Sequence, residues 1–326
     1  MSLPLLHTDG AISVPVLGPW NPNPLLLTFF AVASVAYALG ISEVVRKQPE
    51  RPWPAWRAVA FYAGLAATAL ALIGPLDTYN DESFTMHMAQ HLVLIQISAP
   101  LLLLGRPVQL LLRAAPYARS KAVLNSIMRR PSIRGALGAL VSPIVVLGLF
   151  NLNLAAWHFP ELYHAALRSD PIHELMHMSF FLTGLLFWWP IIDPVPRHHR
   201  FGTALTLTAL GTAMLNGKII SGILISSPSL IYTFYQGKEG LWSMSPLTDQ
   251  HLGGGLMLAS GVIIYAGLFF IILVRSLLNA TPETALSRRA PNTGAAYHVR
   301  RTVGQGRPDE LGAEPAARPH SSPSGD

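Results

Sequence analysis

Seven stretches of about 20 predominantly apolar residues dominate the sequence, and each is long enough to cross the hydrocarbon core of a membrane as an α-helix. They run over roughly Pro24–Val45, Trp56–Leu76, Phe84–Leu104, Leu137–Trp157, Ile172–Ile192, Phe201–Ile225 and Gln250–Val274. They are continuous runs without the alternation of a half-buried strand, which favours helix. Charged residues make up only 12% of the chain, against about 25% in soluble domains. We therefore predict an all-α, polytopic membrane protein whose residues 23–275 form a seven-helix bundle.

Lysine and arginine lie almost entirely in alternate connecting segments, which predicts the orientation of the bundle. The basic segments follow spans one, three, five and seven, whereas Arg168 and Lys238 are the only cations in the other connections. The positive-inside rule places the N-terminus outside and the C-terminus in the cytoplasm. Residues 1–22 lack a basic n-region, so we expect an extracytoplasmic segment followed by a retained span.

Outside the spans, the composition predicts lipid contact and no nucleic-acid partner. The formal charge is +6 and the isoelectric point about 9.8, but the basic residues lie where they set membrane topology. Residues 276–326 are rich in Pro, Ser, Gly, Ala and Arg, which is typical of a disordered tail. We expect this basic tail to lie in the cytoplasm, near anionic lipid headgroups.

Histidine pairs mark two of the spans. His87 and His91 are four residues apart at the start of span three, and His173 and His177 repeat this spacing at the start of span five. Side chains four apart share a helix face, with Cβ atoms about 6 Å apart. Two such imidazoles can converge on one ion at about 2.0–2.1 Å each. The predicted topology places both pairs at the outer membrane boundary.

Other potential ligands fall at the same predicted depth. His158 ends span four, Asp249 and His251 begin span seven, and Met88 and Met176 are interleaved with the paired histidines. We predict a metal site formed by His87, His91, His158, His173, His177 and Asp249, with Met88, Met176 and His251 as secondary candidates. Asp249 and Glu174 can serve either as ligands or as acceptors that orient an imidazole. Methionine in an apolar helix more often packs than ligates.

The residue types favour copper over other metals. The chain contains no cysteine, so it can form neither a disulfide nor a thiolate site. Imidazole with an optional thioether suits copper, and zinc with imidazole and carboxylate is the alternative. Magnesium and calcium prefer oxygen ligands and fit this set poorly.

Several motifs, taken in order, resemble the polytopic CtaG family of cytochrome c oxidase assembly factors. They are the segments 86–91 (Met-His-Met-Ala-Gln-His), 99–107, 157–163 (Trp-His-Phe-Pro-Glu-Leu-Tyr), 187–190 (Phe-Trp-Trp-Pro) and 249–250 (Asp-Gln). The resemblance covers roughly residues 25–275. It implies a bacterial inner-membrane protein that assists assembly of a haem–copper oxidase and contacts an oxidase subunit. His87, His91, Trp157, His158, His173, His177 and Asp249 match the family motifs, whereas the family pattern does not dependably carry His251.

Three functions remain open from the sequence. The first is an assembly factor that binds copper at the outer face and passes it to the oxidase, without breaking a covalent bond. The second is a zinc-dependent intramembrane hydrolase in which Asp249 or Glu174 activates a metal-bound water. The third is an electron-transfer protein with a haem held by axial histidines. We expect the assembly factor rather than an enzyme.

Overall fold

A computed structural model describes residues 20–116, 122, 126, 129–192, 201–238 and 243–279. Within these residues the chain is helical and contains no strand. The predicted segment 1–22 and the predicted tail 276–326 lie almost wholly outside the described residues.

The helices are numbered in chain order. They are α1 Pro24–Lys47, α2 Ala55–Leu72, α3 Pro75–Thr78, α4 Phe84–Leu92, α5 Ala99–Leu104, α6 Pro107–Ala114, α7 Pro131–Leu140, α8 Pro143–Trp157, α9 Pro160–Leu167, α10 Asp170–Ile192, α11 Thr203–Ser226, α12 Pro246–Gly261 and α13 Gly267–Leu278. Two π-helical segments, Val93–Ser98 and Val262–Ala266, join α4 to α5 and α12 to α13.

Proline determines where many of these helices begin. Pro24, Pro107, Pro143, Pro160 and Pro246 each occupy the first position of a helix. Proline suits this position because its missing N–H has no partner inside the helix and its φ angle is already helical. Asparagine and serine caps also mark where helices begin. The side chains of Asn23, Ser83 and Ser245 accept hydrogen bonds from backbone N–H groups of the first turn.

Six described helical segments are long and apolar enough to cross a membrane, and a bent pair makes a seventh if it counts as one span. That pair is α7 and α8, whose axes differ by 56°. The prediction of one helix over Leu137–Trp157 is therefore wrong in its first part. Pro143 cannot donate a backbone hydrogen bond and disfavours helical geometry in the residue before it, so the chain breaks there.

Five spans close into a ring around the main core. The span α4–α5 packs on α10, α10 on α8, α8 on α11, α11 on α12, and α12 back on α4. The core inside the ring is apolar and includes Ile95, Phe150, Met176, Phe187 and Leu210. Helices α1 and α2 pack outside it, on α6 and α5 respectively. The ring brings the first turns of α4, α10 and α12 to one end of the bundle.

The π-helical segment after α4 exposes a backbone carbonyl to a neighbouring span. The Trp188 indole N–H, from α10, donates to the Ile95 carbonyl at 2.8 Å. A π turn leaves the regular α-helical hydrogen-bond pattern locally, so such a carbonyl needs a partner from elsewhere. This bond ties the last turns of α10 to the middle of the span that carries His87 and His91.

Candidate metal centre

Helices α4 and α10 bring both predicted histidine pairs together. Within each pair the ring centroids lie 4.4 Å apart for His87 and His91, and 4.3 Å apart for His173 and His177. Between the helices, the His87 ring lies 5.0 Å from that of His173 and 5.8 Å from that of His177. The His91 and His177 rings are 5.3 Å apart. We call these four residues the histidine cluster.

Three members of the cluster form a group that could hold one ion. His87, His91 and His177 each offer a ring nitrogen, and these nitrogens lie within 4.8 Å of one another. Their side chains are buried, with exposed fractions of 0%, 4% and 7%. His173 lies beside them and is only partly buried. Histidine nitrogens that bind one such ion each lie about 2.0–2.1 Å from it, so metal binding would draw these three nitrogens closer together.

Five of the eight ring nitrogens of the cluster are buried without a partner among the described residues. Among the described residues, Nε2 of His87, His173 and His177 and both ring nitrogens of His91 make no hydrogen bond. A buried polar atom without a partner costs about 1–3 kcal/mol, so several together need an explanation. A metal ion supplies one, because imidazole lone pairs are the ligands that copper and zinc accept. The donor set therefore fits a transition metal.

His158 lies next to the cluster with one nitrogen fixed. Its Nδ1 lies 2.7 Å from the Leu154 carbonyl, which can only accept, so Nδ1 carries the hydrogen. Its buried Nε2 has no partner in the described chain. The rings of His158 and His91 both lie against Phe180, with centroids 6.5 Å and 4.5 Å from it. His158 is therefore a neighbour of the three-histidine group rather than a member.

Two tyrosine hydroxyls contact the remaining nitrogen of His87. Its Nδ1 lies 3.0 Å from the Tyr163 hydroxyl and 3.3 Å from the Tyr235 hydroxyl. The two hydroxyls are 3.0 Å apart, and Tyr235 donates to the Asn80 carbonyl at 2.9 Å. Burial raises the pKa of both phenols above the ordinary value, so each hydroxyl keeps its hydrogen near neutral pH. We call His87, Tyr163, Tyr235 and Asn80 the tyrosine chain.

Asp249 contacts the histidine helix at its first turn. Its Oδ1 accepts from the Ser83 hydroxyl at 2.9 Å and from the Thr85 amide at 3.2 Å, and its Oδ2 accepts from the Phe84 amide at 2.6 Å. The carboxylate thus satisfies N–H groups that helix α4 leaves free. It is not a member of the three-histidine group. The partners described for the Asp249 carboxylate are Ser83, Phe84 and Thr85, so its contacts differ from both roles that the sequence left open, a metal ligand and an acceptor that orients an imidazole.

The secondary candidates have other partners. His251 Nε2 lies 3.0 Å from the Ser227 carbonyl. Met88 packs with Phe84, Tyr163 and the aromatic residues around them, and Met176 lies in the main core. Both methionines are almost completely buried. Glu174, the other proposed carboxylate, is exposed.

Sequence reasoning assigned no role to two buried glutamines. Gln90 donates to the Ala71 carbonyl at 2.8 Å and to the Asp77 carboxylate at 3.1 Å. Gln250 accepts the Ile231 amide at 2.7 Å and so anchors the loop that carries Tyr235. A glutamine inside an apolar span was the available signal, because a buried amide requires partners. Tyr163 and Tyr235 lie in connections between spans; Tyr163 ends the 157–163 motif but was assigned no role, and Tyr235 belongs to none of the motifs.

Comparison with known proteins places most of the described chain in one family. A family model described as cytochrome c oxidase caa3 assembly factor (Caa3_CtaG) matches residues 35–278. Similar curated proteins include uncharacterized proteins of Mycobacterium bovis and Mycobacterium tuberculosis, each 30% identical over 254 residues, covering 74% of this chain and 37% of the relative. An uncharacterized protein of Mycobacterium leprae is 29% identical over 247 residues, covering 73% of this chain and 36% of its own length. The chain thus spans little more than a third of these relatives, and no solved structure matches it.

Proposed function

Because the chain belongs to the Caa3_CtaG family of cytochrome c oxidase assembly factors, we propose that it binds copper at the histidine cluster and passes it to a subunit of the oxidase. The observation that carries this proposal is the three-histidine group of His87, His91 and His177, with nitrogens within 4.8 Å of one another. In this role copper is the cargo, and the protein breaks no covalent bond.

The proposed orientation places the cluster on the outer side of the bacterial inner membrane. It is supported by the Lys/Arg-rich connections, which lie at the opposite end of the spans from the histidine pairs. Copper would then reach the site without crossing the membrane, at the depth where α4 and α10 begin.

Transfer requires a site that holds copper and also releases it. His173 supplies a means, because it is the most exposed residue of the cluster and its ring lies 4.3 Å from His177 and 5.0 Å from His87. A fourth imidazole beside three can exchange with one of them, so the ion moves toward the surface by ligand replacement. Met88 and Met176 pack in apolar clusters instead, so the proposed transfer uses imidazole alone.

The two alternative functions have less support. A zinc hydrolase needs a general base beside the metal, but Asp249 accepts three hydrogen bonds from helix α4 and Glu174 is exposed. A haem needs a slot as wide as the porphyrin between its axial ligands. Phe180 and Tyr163 instead pack against the imidazoles, with ring centroids 4.5 Å from His91 and 5.2 Å from His87.

Metal analysis of the purified protein tests the copper half of the proposal. The wild type, loaded anaerobically with copper(I) and desalted, should retain about one copper per chain. A variant with His87, His91 and His177 all changed to alanine should retain almost none. His251→Ala, which removes an imidazole outside the cluster, should bind as the wild type does. Equal copper in wild type and triple variant would refute the proposed site.

Complementation tests the assembly half. Cells lacking the gene should lose cytochrome c oxidase activity and regain it with the wild-type gene or with His251→Ala. The triple histidine variant, expressed to the same level in the membrane, should fail to restore activity. Full restoration by that variant would show that the assembly role does not use the histidine cluster.

A further inference from the structure

The hydrogen bonds of the tyrosine chain can be followed from a backbone carbonyl to His87. The Asn80 carbonyl only accepts, and it lies 2.9 Å from the Tyr235 hydroxyl. Tyr235 has a single hydroxyl hydrogen, which is therefore donated to Asn80. Asn80 is itself fixed, since its buried side-chain amide donates to Gln90 at 3.3 Å. The Asn80 carbonyl, at the far end of the tyrosine chain, is thus a rigid hydrogen-bond acceptor.

Two arrangements of the remaining hydrogens are possible. In the first, Tyr163 donates to Tyr235 at 3.0 Å, and His87 Nδ1–H donates to Tyr163 at 3.0 Å. In the second, Tyr163 donates to His87 Nδ1, and the hydrogen of His87 lies on Nε2. The first arrangement makes three hydrogen bonds with three hydrogens. The second makes only two.

The second arrangement also leaves a donor buried without an acceptor. His87 is completely buried, and within the described part of the chain its Nε2 has no hydrogen-bond partner. An Nε2–H there would be an unsatisfied buried donor, which is costly in an apolar site. The first arrangement instead leaves a lone pair on Nε2, as a metal ligand requires.

We propose that Tyr163 and Tyr235 are positioning residues that hold His87 in its Nδ1–H tautomer, so that Nε2 is free to bind the metal. This inference rests on the proposed metal site for its purpose, but the arrangement of hydrogens is a property of the metal-free protein. The chain also fixes the plane of the His87 ring. Second-sphere hydrogen bonds of this kind commonly change metal affinity by about 10–100-fold.

Tyr232 provides a matched control within the same aromatic cluster. Its ring lies 4.2 Å from that of Tyr163 and 4.9 Å from that of Phe84. Its hydroxyl, however, donates to the His158 carbonyl at 2.9 Å and takes no part in the chain to His87. Tyr232→Phe therefore loses a buried tyrosine hydroxyl, as Tyr163→Phe does, without interrupting the chain.

Nitrogen NMR of the metal-free protein tests the tautomer directly. The full chain is labelled with ¹⁵N-histidine in lipid nanodiscs, and the His87 signals are identified by their absence from His87→Ala. Long-range proton–nitrogen correlations should show Nδ1 protonated and Nε2 unprotonated in the wild type and in Tyr232→Phe. In the double variant Tyr163→Phe/Tyr235→Phe, which removes both hydroxyls that face Nδ1, the opposite tautomer should appear as a substantial population. A wild-type His87 protonated on Nε2 would overturn the proposal.

Copper affinity tests the consequence separately. Competition with a copper(I) chelator should show affinity weakened about tenfold in the double variant Tyr163→Phe/Tyr235→Phe and unchanged in Tyr232→Phe. If the wild type has the predicted tautomer but binds no copper, the proposed function fails while the assignment of hydrogens stands. If copper binds and the double variant Tyr163→Phe/Tyr235→Phe matches the wild type in both tautomer and affinity, the positioning role is refuted.

Discussion

The Oδ2 atom of Asp249 accepts a hydrogen bond from the backbone amide of Phe84 at 2.6 Å, although the two residues are 165 positions apart. The bond joins the first turn of α12 to the first turn of α4, which carries His87 and His91. The carboxylate of one span therefore accepts hydrogen bonds from backbone N–H groups that have no partner inside the first turn of another. The position of His87 and His91 in the bundle therefore depends on a contact between distant segments. No local sequence pattern reveals such a contact.

Asp249→Asn should destabilise the protein without removing the metal site. The amide places an NH₂ group where a carboxylate oxygen met an N–H donor, so at least one charged hydrogen bond is lost. We expect about 2–3 kcal/mol of lost stability, measured as a lower midpoint of thermal unfolding in detergent. Copper per folded chain should stay at the wild-type value. Glu174→Gln, an exposed change, should alter neither quantity, and loss of copper in Asp249→Asn at an unchanged midpoint would identify Asp249 as a ligand.

His91→Leu should separate metal binding from stability. Both ring nitrogens of His91 are buried without a partner among the described residues. A side chain of similar bulk without polar atoms removes that cost, so the midpoint of unfolding of the metal-free protein should hold or rise. Copper(I) affinity, measured by chelator competition, should fall at least 100-fold, as expected when a ligand is removed. A marked fall in the midpoint would mean that His91 has stabilising contacts beyond those described.

Met88→Leu and Met176→Leu should leave copper binding unchanged. Both side chains are almost fully buried in apolar clusters, and exchange of methionine for leucine usually costs less than about 1.5 kcal/mol. Copper per chain and chelator competition should match the wild type. A tenfold loss of copper(I) affinity in either variant would show that its thioether binds the metal.

Gly253→Ala should disturb the packing of α12 on α4. A Cβ at this position would lie 2.6 Å from Phe84 Cδ1, and Phe84 is buried with an exposed fraction of 1%. Overpacking of this kind costs about 1–3 kcal/mol. Gly255→Ala lies on the same helix with no atom within 4 Å of the added Cβ. It should keep or raise the unfolding midpoint, and equal midpoints for the two variants would contradict the described packing.

Hydropathy predicted the spans because crossing a membrane imposes both length and apolarity on a helix. Pro24–Lys47 and Asp170–Ile192 lie within two residues of the predicted bounds. The same reasoning missed the bend before Pro143 and both π-helical segments, since a hydropathy window does not register a change in hydrogen-bond pattern. Hydropathy is insensitive to local geometry inside an apolar run.

The histidine pairs were predictable because residues four apart share a helix face. The directions of Met88 and Met176 were not, since one residue along a helix turns the side chain by about 100°. Which neighbour it then meets depends on the arrangement of the spans. Tyr163 and Tyr235 belong to connections distant in sequence, and only tertiary packing brings both hydroxyls to His87.

The π-helical turn at Val93–Ser98 makes the backbone winding of that span as important as its hydrophobicity. A π turn accommodates an additional residue within otherwise α-helical backbone. Winding the same residues as a regular α-helix would instead rotate the preceding turns by about 100° relative to the following ones. His87 and His91 would then face a different neighbour while every side chain in the span stayed apolar enough for the membrane. Transplanting this span into another scaffold therefore requires its π turn to be kept.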